Sequence, residues 1–131
     1  GIATLSGWQI LTTPSNELYF NTQGGALTSA DASGYMNNQW HYIVAGVRNS
    51  SGANEKRIYI DGSVFAQANG LSWSKSAEDF RIGLNPAFDN EAFGGLIDDV
   101  AYWDTVPADW ATIETIIAQR YNGGEGMAYE S

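Results

Sequence analysis

Short apolar runs, many alternating with polar positions and separated by turn residues, dominate the chain as far as Trp103. Alternation with a period of two is the signature of a pleated strand with one face against a core. Trp8–Thr13 and Glu17–Thr22, parted by Pro14-Ser15-Asn16, predict a first hairpin. Gly24-Gly25 and the small polar stretch Ser29–Asn38 predict a long loop carrying Tyr35 and Met36. Trp40–Arg48 is apolar at nearly every position, which predicts a central strand covered on both faces, with His41 as its main polar interruption. Beyond the Ser/Gly/Asn turn at 49–54, Lys56–Ile60 places Ile58 and Ile60 on one face and Arg57 and Tyr59 on the other. Asp61-Gly62 then supplies the two residues of positive φ that a type I′ hairpin turn requires, and Ser63–Ala68 returns. Asn69-Gly70 leads into a loop carrying Trp73, Phe80–Leu84 resumes the sheet, and Asn85–Gly95 is a second loop. Leu96–Trp103 reads as a last strand with a polar break at Asp98-Asp99.

The period then changes. From Pro107 to Tyr121 the apolar residues Trp110, Ile113, Ile116, Ile117 and Tyr121 recur at spacings of three and four, which predicts one face of a helix. Pro107 suits its first turn, Asp109 and Glu114 its positive end, Arg120 its last turn, and Gly123-Gly124 its left-handed stop. Residues 1–124 therefore form one domain, and 125–131 a tail or linker without a pattern of its own.

Composition narrows the class of function. The 131 residues suffice for one domain with a real core, and the 13% aromatic content leans to β structure. Fifteen acidic against six basic residues give a net charge of −9, which repels phosphate backbones and anionic headgroups. Nucleic acid is thereby excluded as a partner, and no apolar run reaches the roughly 18 residues of a membrane span. With no cysteine there is neither a disulfide framework nor a thiol nucleophile. The chain opens on Gly1, as expected of a processed product or a segment of something longer.

The catalytic inventory is thin. The one histidine, His41, lies in an apolar strand and reads as a hydrogen-bonded structural side chain, which leaves no nucleophile–histidine pair. Asp98 and Asp99 are adjacent, so on a strand they point to opposite faces, whereas glycoside cleavage needs two carboxyl groups facing one cleft. Trp8, Trp40, Trp103 and Trp110 fall within strand or helix patterns and read as core. Trp73 lies in a Ser-rich loop, and with the loop residues Tyr35 and Phe88 it makes a candidate flat platform for a sugar ring or a protein.

The order of Trp40-His41-Tyr42-Ile43-Val44-Ala45-Gly46, Arg57-Ile58-Tyr59-Ile60-Asp61-Gly62, Phe80-Arg81-Ile82-Gly83, Gly94-Gly95-Leu96-Ile97-Asp98-Asp99-Val100-Ala101-Tyr102-Trp103, the helix and Tyr121-Asn122-Gly123-Gly124 resembles the laminin-G-like and pentraxin-like branch of the concanavalin A-like lectin/glucanase superfamily. The resemblance spans roughly residues 40 to 124 and implies an all-β, antiparallel jelly-roll β-sandwich, here with one short C-terminal α-helix. It also implies that carboxylates near the Asp98-Asp99 pair help to hold calcium in some members. The candidate metal set here is Asp98 with Asp89, Asn90 and Glu91, and Asn85 just upstream, since calcium takes six to eight oxygens. The alternating acidic strand of the glucanase members has no counterpart here. By the same resemblance the N-terminal strands are abbreviated, so a fragment, a sheet completed by a neighbouring chain, or a reduced sandwich remain open. An open sheet edge would then take a strand from a partner, giving a homo-oligomer or larger assembly. The expected function is a non-catalytic lectin-like binding or adhesion module for a glycan or surface partner, located extracellularly or at a cell or virion surface. The alternative is a structural virion or surface-assembly protein such as a capsid decoration or tail-fibre module, and a glycoside hydrolase-like enzyme is the distant third.

Overall fold

The computed structural model describes residues 3–5, 8–22, 25–50, 53–69, 81–83, 92–103, 105–107 and 109–126. Eight strands are formed there: β1 (Ala3–Leu5), β2 (Trp8–Thr12), β3 (Glu17–Thr22), β4 (Gly25–Asp31), β5 (Ile43–Ser50), β6 (Ala53–Ile60), β7 (Ser63–Asn69) and β8 (Arg81–Ile82). They make two antiparallel sheets, ordered β4-β3-β2-β1-β8 and β5-β6-β7, followed by one helix, α1 (Trp110–Tyr121).

The first hairpin forms where its pattern places it, with Trp8 opposite Thr22 and Thr12 opposite Leu18. Its turn is closed from within: the Glu17 N–H donates to Thr13 Oγ1 at 3.2 Å, and Asn16 takes a left-handed φ of 62°. The chain then does what the sequence does not announce. Gly25–Asp31 pairs with β3 as a sheet edge, although Ser29–Asn38 reads as loop. Its sequence, Gly25-Ala26-Leu27-Thr28-Ser29-Ala30-Asp31, is mostly small and polar and so carries little pattern from which to predict a strand.

β6 is the centre of the second sheet, flanked by β5 and β7. The two-faced reading of Lys56–Ile60 holds. Ile58 and Ile60, 0% and 3% exposed, enter the layer between the sheets with Leu18, Phe20 and Ala32, while Tyr59 turns to the opposite side and packs with Trp110 and Ile117 of α1. Asp61 and Gly62 have φ of 51° and 83°, and Ile60 pairs with Ser63 across this two-residue turn. In β7 one residue is extra: Tyr59 pairs with Val64 and Ile58 with Ala66, so Phe65 is bulged out of register toward the inter-sheet core.

The strand expected at the centre, Trp40–Arg48, is instead β5, begins at Ile43 and lies at one side of its sheet. Its apolar residues do face two covered layers: Ile43, Ala45 and Val47 pack on the inter-sheet core, Tyr42 and Val44 on the helix side. Periodicity reports which faces of a strand are covered and says nothing of its lateral neighbours, which is why a strand between two layers passes for a central one. Leu96–Trp103 is a second correction. No strand forms there, and Leu96 is 80% exposed, with Val100, Tyr102 and Trp103 also exposed. The Asp98 carboxylate accepts the N–H of Asp99 at 2.8 Å and Asp99 adopts a φ of 52°, which interrupts an extended path midway through the apolar run.

The helix starts three residues later than Pro107 would set it. Asp109 is extended and its carboxylate accepts the Thr112 N–H at 2.7 Å, making it the N-cap. This bond holds the Asp109 carboxyl below its ordinary value. Glu114 accordingly lies beyond the first turn, and Asn122, with a left-handed φ of 45°, closes the C-terminal end ahead of Gly123. The result is three layers: five-stranded sheet, three-stranded sheet, helix.

Candidate functional site

Between β4 and β5 the chain builds a short, internally bonded loop. Ala32 anchors it, 1% exposed in the inter-sheet core, with its N–H donating to the Asn16 carbonyl at 2.8 Å. Both oxygens of Asp31 are engaged by Ser33, one by its N–H at 2.7 Å and one by its hydroxyl at 2.8 Å, and these bonds lower the Asp31 carboxyl below its ordinary value. A single 3₁₀ turn, Ser33–Tyr35, follows. Asn37 then ties the loop twice, accepting the Gln39 N–H at Oδ1 (3.0 Å) and donating from Nδ2 to the Gly34 carbonyl (3.4 Å). Asn38 takes a left-handed φ of 60°, which turns the chain back toward the sheet.

Three apolar side chains stand out from this scaffold: Tyr35, Met36 and Trp40, the last 66% exposed. Tyr35 is fixed by edge-to-face contacts with His41 at 5.3 Å and Phe65 at 5.7 Å, both within the range of favourable aromatic pairs. Trp40, read from the sequence as core, is a third correction, and Trp103, at 48% exposed beneath the Arg120 guanidinium, is another. Of the three residues expected to form a platform, Tyr35 lies in this loop, while Trp73 and Phe88 lie outside the described residues. The signal for Trp40 was present but faint: Asn37-Asn38-Gln39 just ahead of it marks a turn, which puts the tryptophan before the strand and not in it.

His41 joins the loop to the β6–β7 turn. Its Nδ1 lies 2.7 Å from Asp61 Oδ2 and its Nε2 lies 2.9 Å from Asn37 Oδ1. Asp61 Oδ1 accepts the Tyr42 N–H at 2.9 Å, and the Asp61 N–H donates to the Tyr42 carbonyl at the same distance. The structural reading of this histidine therefore agrees with its surroundings.

A second polar cluster lies under α1. Glu114 Oε1 accepts from Arg57 Nη1 at 2.9 Å and from the Tyr59 hydroxyl at 3.0 Å, while the Arg57 guanidinium stacks 4.6 Å from the centre of the Trp110 ring. Trp110 Nε1 donates to Glu55 at 2.9 Å, and Arg48 approaches the same carboxylate at 3.4 Å. Burial raises the Tyr59 phenol above its ordinary value. Both carboxylates are committed to cations, hydroxyl or indole beneath the helix, which makes this a clamp and not a cleft.

Of the candidate metal set, Asp98 is exposed with its carboxylate turned to the Asp99 N–H, and Asp89, Asn90, Glu91 and Asn85 lie outside the described residues. Among the described residues no three His, Asp or Glu side chains come together as cation ligands.

The two stacked antiparallel sheets agree with one comparison. The family model Laminin_G_3, described as the concanavalin A-like lectin/glucanases superfamily, matches residues 2–109. The chain belongs to this superfamily. No curated protein and no solved structure gives a match. The matched span ends at the N-cap of α1, so the helix that covers the outer face of the β5-β6-β7 sheet of this superfamily domain lies beyond it.

Proposed function

We propose that the chain is a non-catalytic, lectin-like module, built on a jelly-roll sandwich, that binds a neutral glycan through the Tyr35–Trp40 loop at an outer surface. The exposure of Trp40 on a loop braced by its own hydrogen bonds carries this reading. Aromatic faces stack on the C–H faces of sugars, and a pre-ordered loop loses little entropy on binding. From Ala32 to Trp40 the loop has no charged residue, in a chain of net charge −9, and Asn37, Asn38 and Gln39 bring amides suited to hydroxyl groups. The commitment of Glu55 and Glu114 to the helix clamp supports a binding role over hydrolysis. On an array of neutral gluco-, manno- and galacto-oligosaccharides, Trp40→Ala is expected to weaken binding by about tenfold or more, a loss of about 1.4 kcal/mol or more. Unchanged binding by a folded Trp40→Ala chain would refute the reading.

A second reading, assembly into a virion or surface structure, is favoured by the apolar exposure of Leu96, Val100, Tyr102 and Val106. It predicts a concentration-dependent oligomer in sedimentation that Leu96→Asp dissolves; a monomer at every concentration argues against it.

A further inference from the structure

Among the described residues the lateral strands of the two sheets are β4, β8, β5 and β7. A lateral strand presents a row of N–H and C=O groups with no neighbour to pair with, and folded chains blunt such rows by keeping the strand short, bulging it or covering it. β8 has two residues, β4 carries an extra residue between its pairs with Glu17 and Tyr19, and β7 carries one at Phe65 and lies against β4. β5 has none of these devices. Its eight residues pair with β6 one for one, from Ile43 opposite Ile60 to Ser50 opposite Ala53, and among the described residues no strand pairs with its other side. It holds no proline, and its one charge, Arg48, is engaged with Glu55. Residues 42–48 are half-buried, whereas Lys56, Ile58, Tyr59 and Ile60 of β6 are buried.

One bond gives the direction of the unpaired groups. The Tyr42 carbonyl accepts the Asp61 N–H at 2.9 Å, so the backbone groups of Tyr42 turn toward β6, and by alternation those of Val44, Gly46 and Arg48 do the same. Those of Ile43, Ala45 and Val47 turn outward. A strand added on that side continues two covered layers at once, because Ile43, Ala45 and Val47 pack on the inter-sheet core and Tyr42 and Val44 on the helix side. It must therefore be apolar on both faces. Leu96–Trp103, another exposed apolar run, carries Asp98-Asp99 near its centre and would set one carboxylate in each layer. A second β5 meets the requirement. Set antiparallel about a two-fold axis at Ala45 or Gly46, two copies bring outward residues opposite outward residues and continue each layer with its own kind.

We propose that the chain forms a two-fold dimer by pairing β5 with β5 of a second copy, which joins two three-stranded sheets into one of six strands. This contact is independent of both functional readings, since Trp40, Leu96 and Val100 all lie outside β5. Each copy has a net charge of −9, so the dimer forms against long-range repulsion and tightens as salt is added.

Residue-resolved amide exchange on the full chain at about 1 µM and about 1 mM brackets the Kd of so small an interface. At the lower concentration exchange is expected to alternate along β5, fast at Ile43, Ala45 and Val47 and slow at Val44, Gly46 and Arg48. At the higher one the three outward amides are expected to slow by about tenfold. In sedimentation, Ala45→Pro, which loses an outward N–H and no bond to β6, is expected to remain a monomer throughout, and Leu96→Asp to dimerise as the native chain does. Outward amides that exchange equally at both concentrations overturn the proposal, as does an Ala45→Pro chain that dimerises like the native one. A dimer abolished by Leu96→Asp also overturns it and assigns the contact to the apolar Leu96 surface. The exchange measurement uses the native chain, so it decides the outcome even where proline at position 45 prevents folding.

Discussion

Replacing Trp110 by alanine is expected to cost about 3–5 kcal/mol and to release the helix from the sheet, a large share of the roughly 5–15 kcal/mol that holds a domain of this size together. The indole is 7% exposed and joins three kinds of contact at once. Its ring lies beside Tyr59 and under the Arg57 guanidinium, and its Nε1 donates to Glu55. It also fills the space over Gly46, where an added Cβ would already stand 3.5 Å from the ring. Removing it exposes Tyr59 and leaves Glu55 with Arg48 alone. Urea unfolding followed by near-ultraviolet dichroism measures the loss. Trp110→Phe, which retains most of the packing but not the N–H, is expected to lose about 1–2 kcal/mol. An unchanged midpoint for the alanine variant would mean that the helix is not clamped as described.

The second large effect is a dependence on pH. Lys56 is 0% exposed on β6, on the same face as Ile58 and Ile60, and its cross-strand neighbours Val47 and Ala68 both pack on the inter-sheet core. Burial lowers its ammonium below the ordinary value of 10.5. Burial penalises the charged form, so the folded chain gives up this proton at a lower pH than the unfolded chain does. As pH rises through the lowered value toward 10.5, the folded chain gives up the proton first, so stability climbs with pH in that window. Tyr42 and Tyr59 act the other way: burial raises both phenols above 10.0, the unfolded chain ionises first, and stability falls above that point. Lys56→Met, which has no proton to give up, is therefore expected to lose the alkaline climb while retaining the fall. Urea midpoints at about pH 7 and about pH 9.5 decide it, and a midpoint that climbs as much in the variant as in the native chain would overturn this account.

What could be read from the chain, and what could not, divides along physical lines. The β6–β7 hairpin was legible because Asp61-Gly62 combines a backbone requirement with flanking alternation, and both are local. The helix face was legible for the same reason except at Ile116, which is exposed, and its start was set by the capping strength of Asp109 and not by Pro107. β4 was not legible, since a run of mostly small and polar residues leaves little side-chain pattern to read. Leu96–Trp103 misled because its apolar spacing promises a strand that the Asp98–Asp99 kink interrupts. At the candidate site Tyr35 was found from its loop setting, while Trp40 was assigned to the core: an offset of three residues at a strand start, Ile43 in place of Trp40, decides whether a tryptophan is buried or presented. The His41–Asp61 link joins residues twenty positions apart in the chain and becomes visible only once the turn is folded.

Phe65, the supernumerary residue of β7, ties two properties together. Its backbone absorbs a slip in the ladder, and its ring wedges Tyr35 from behind. Shortening β7 by that one residue would mend the ladder and empty the wedge in the same event. A length change far from the binding loop along the chain would thus be felt as a loosened tyrosine, and the two traits must be gained or lost as one.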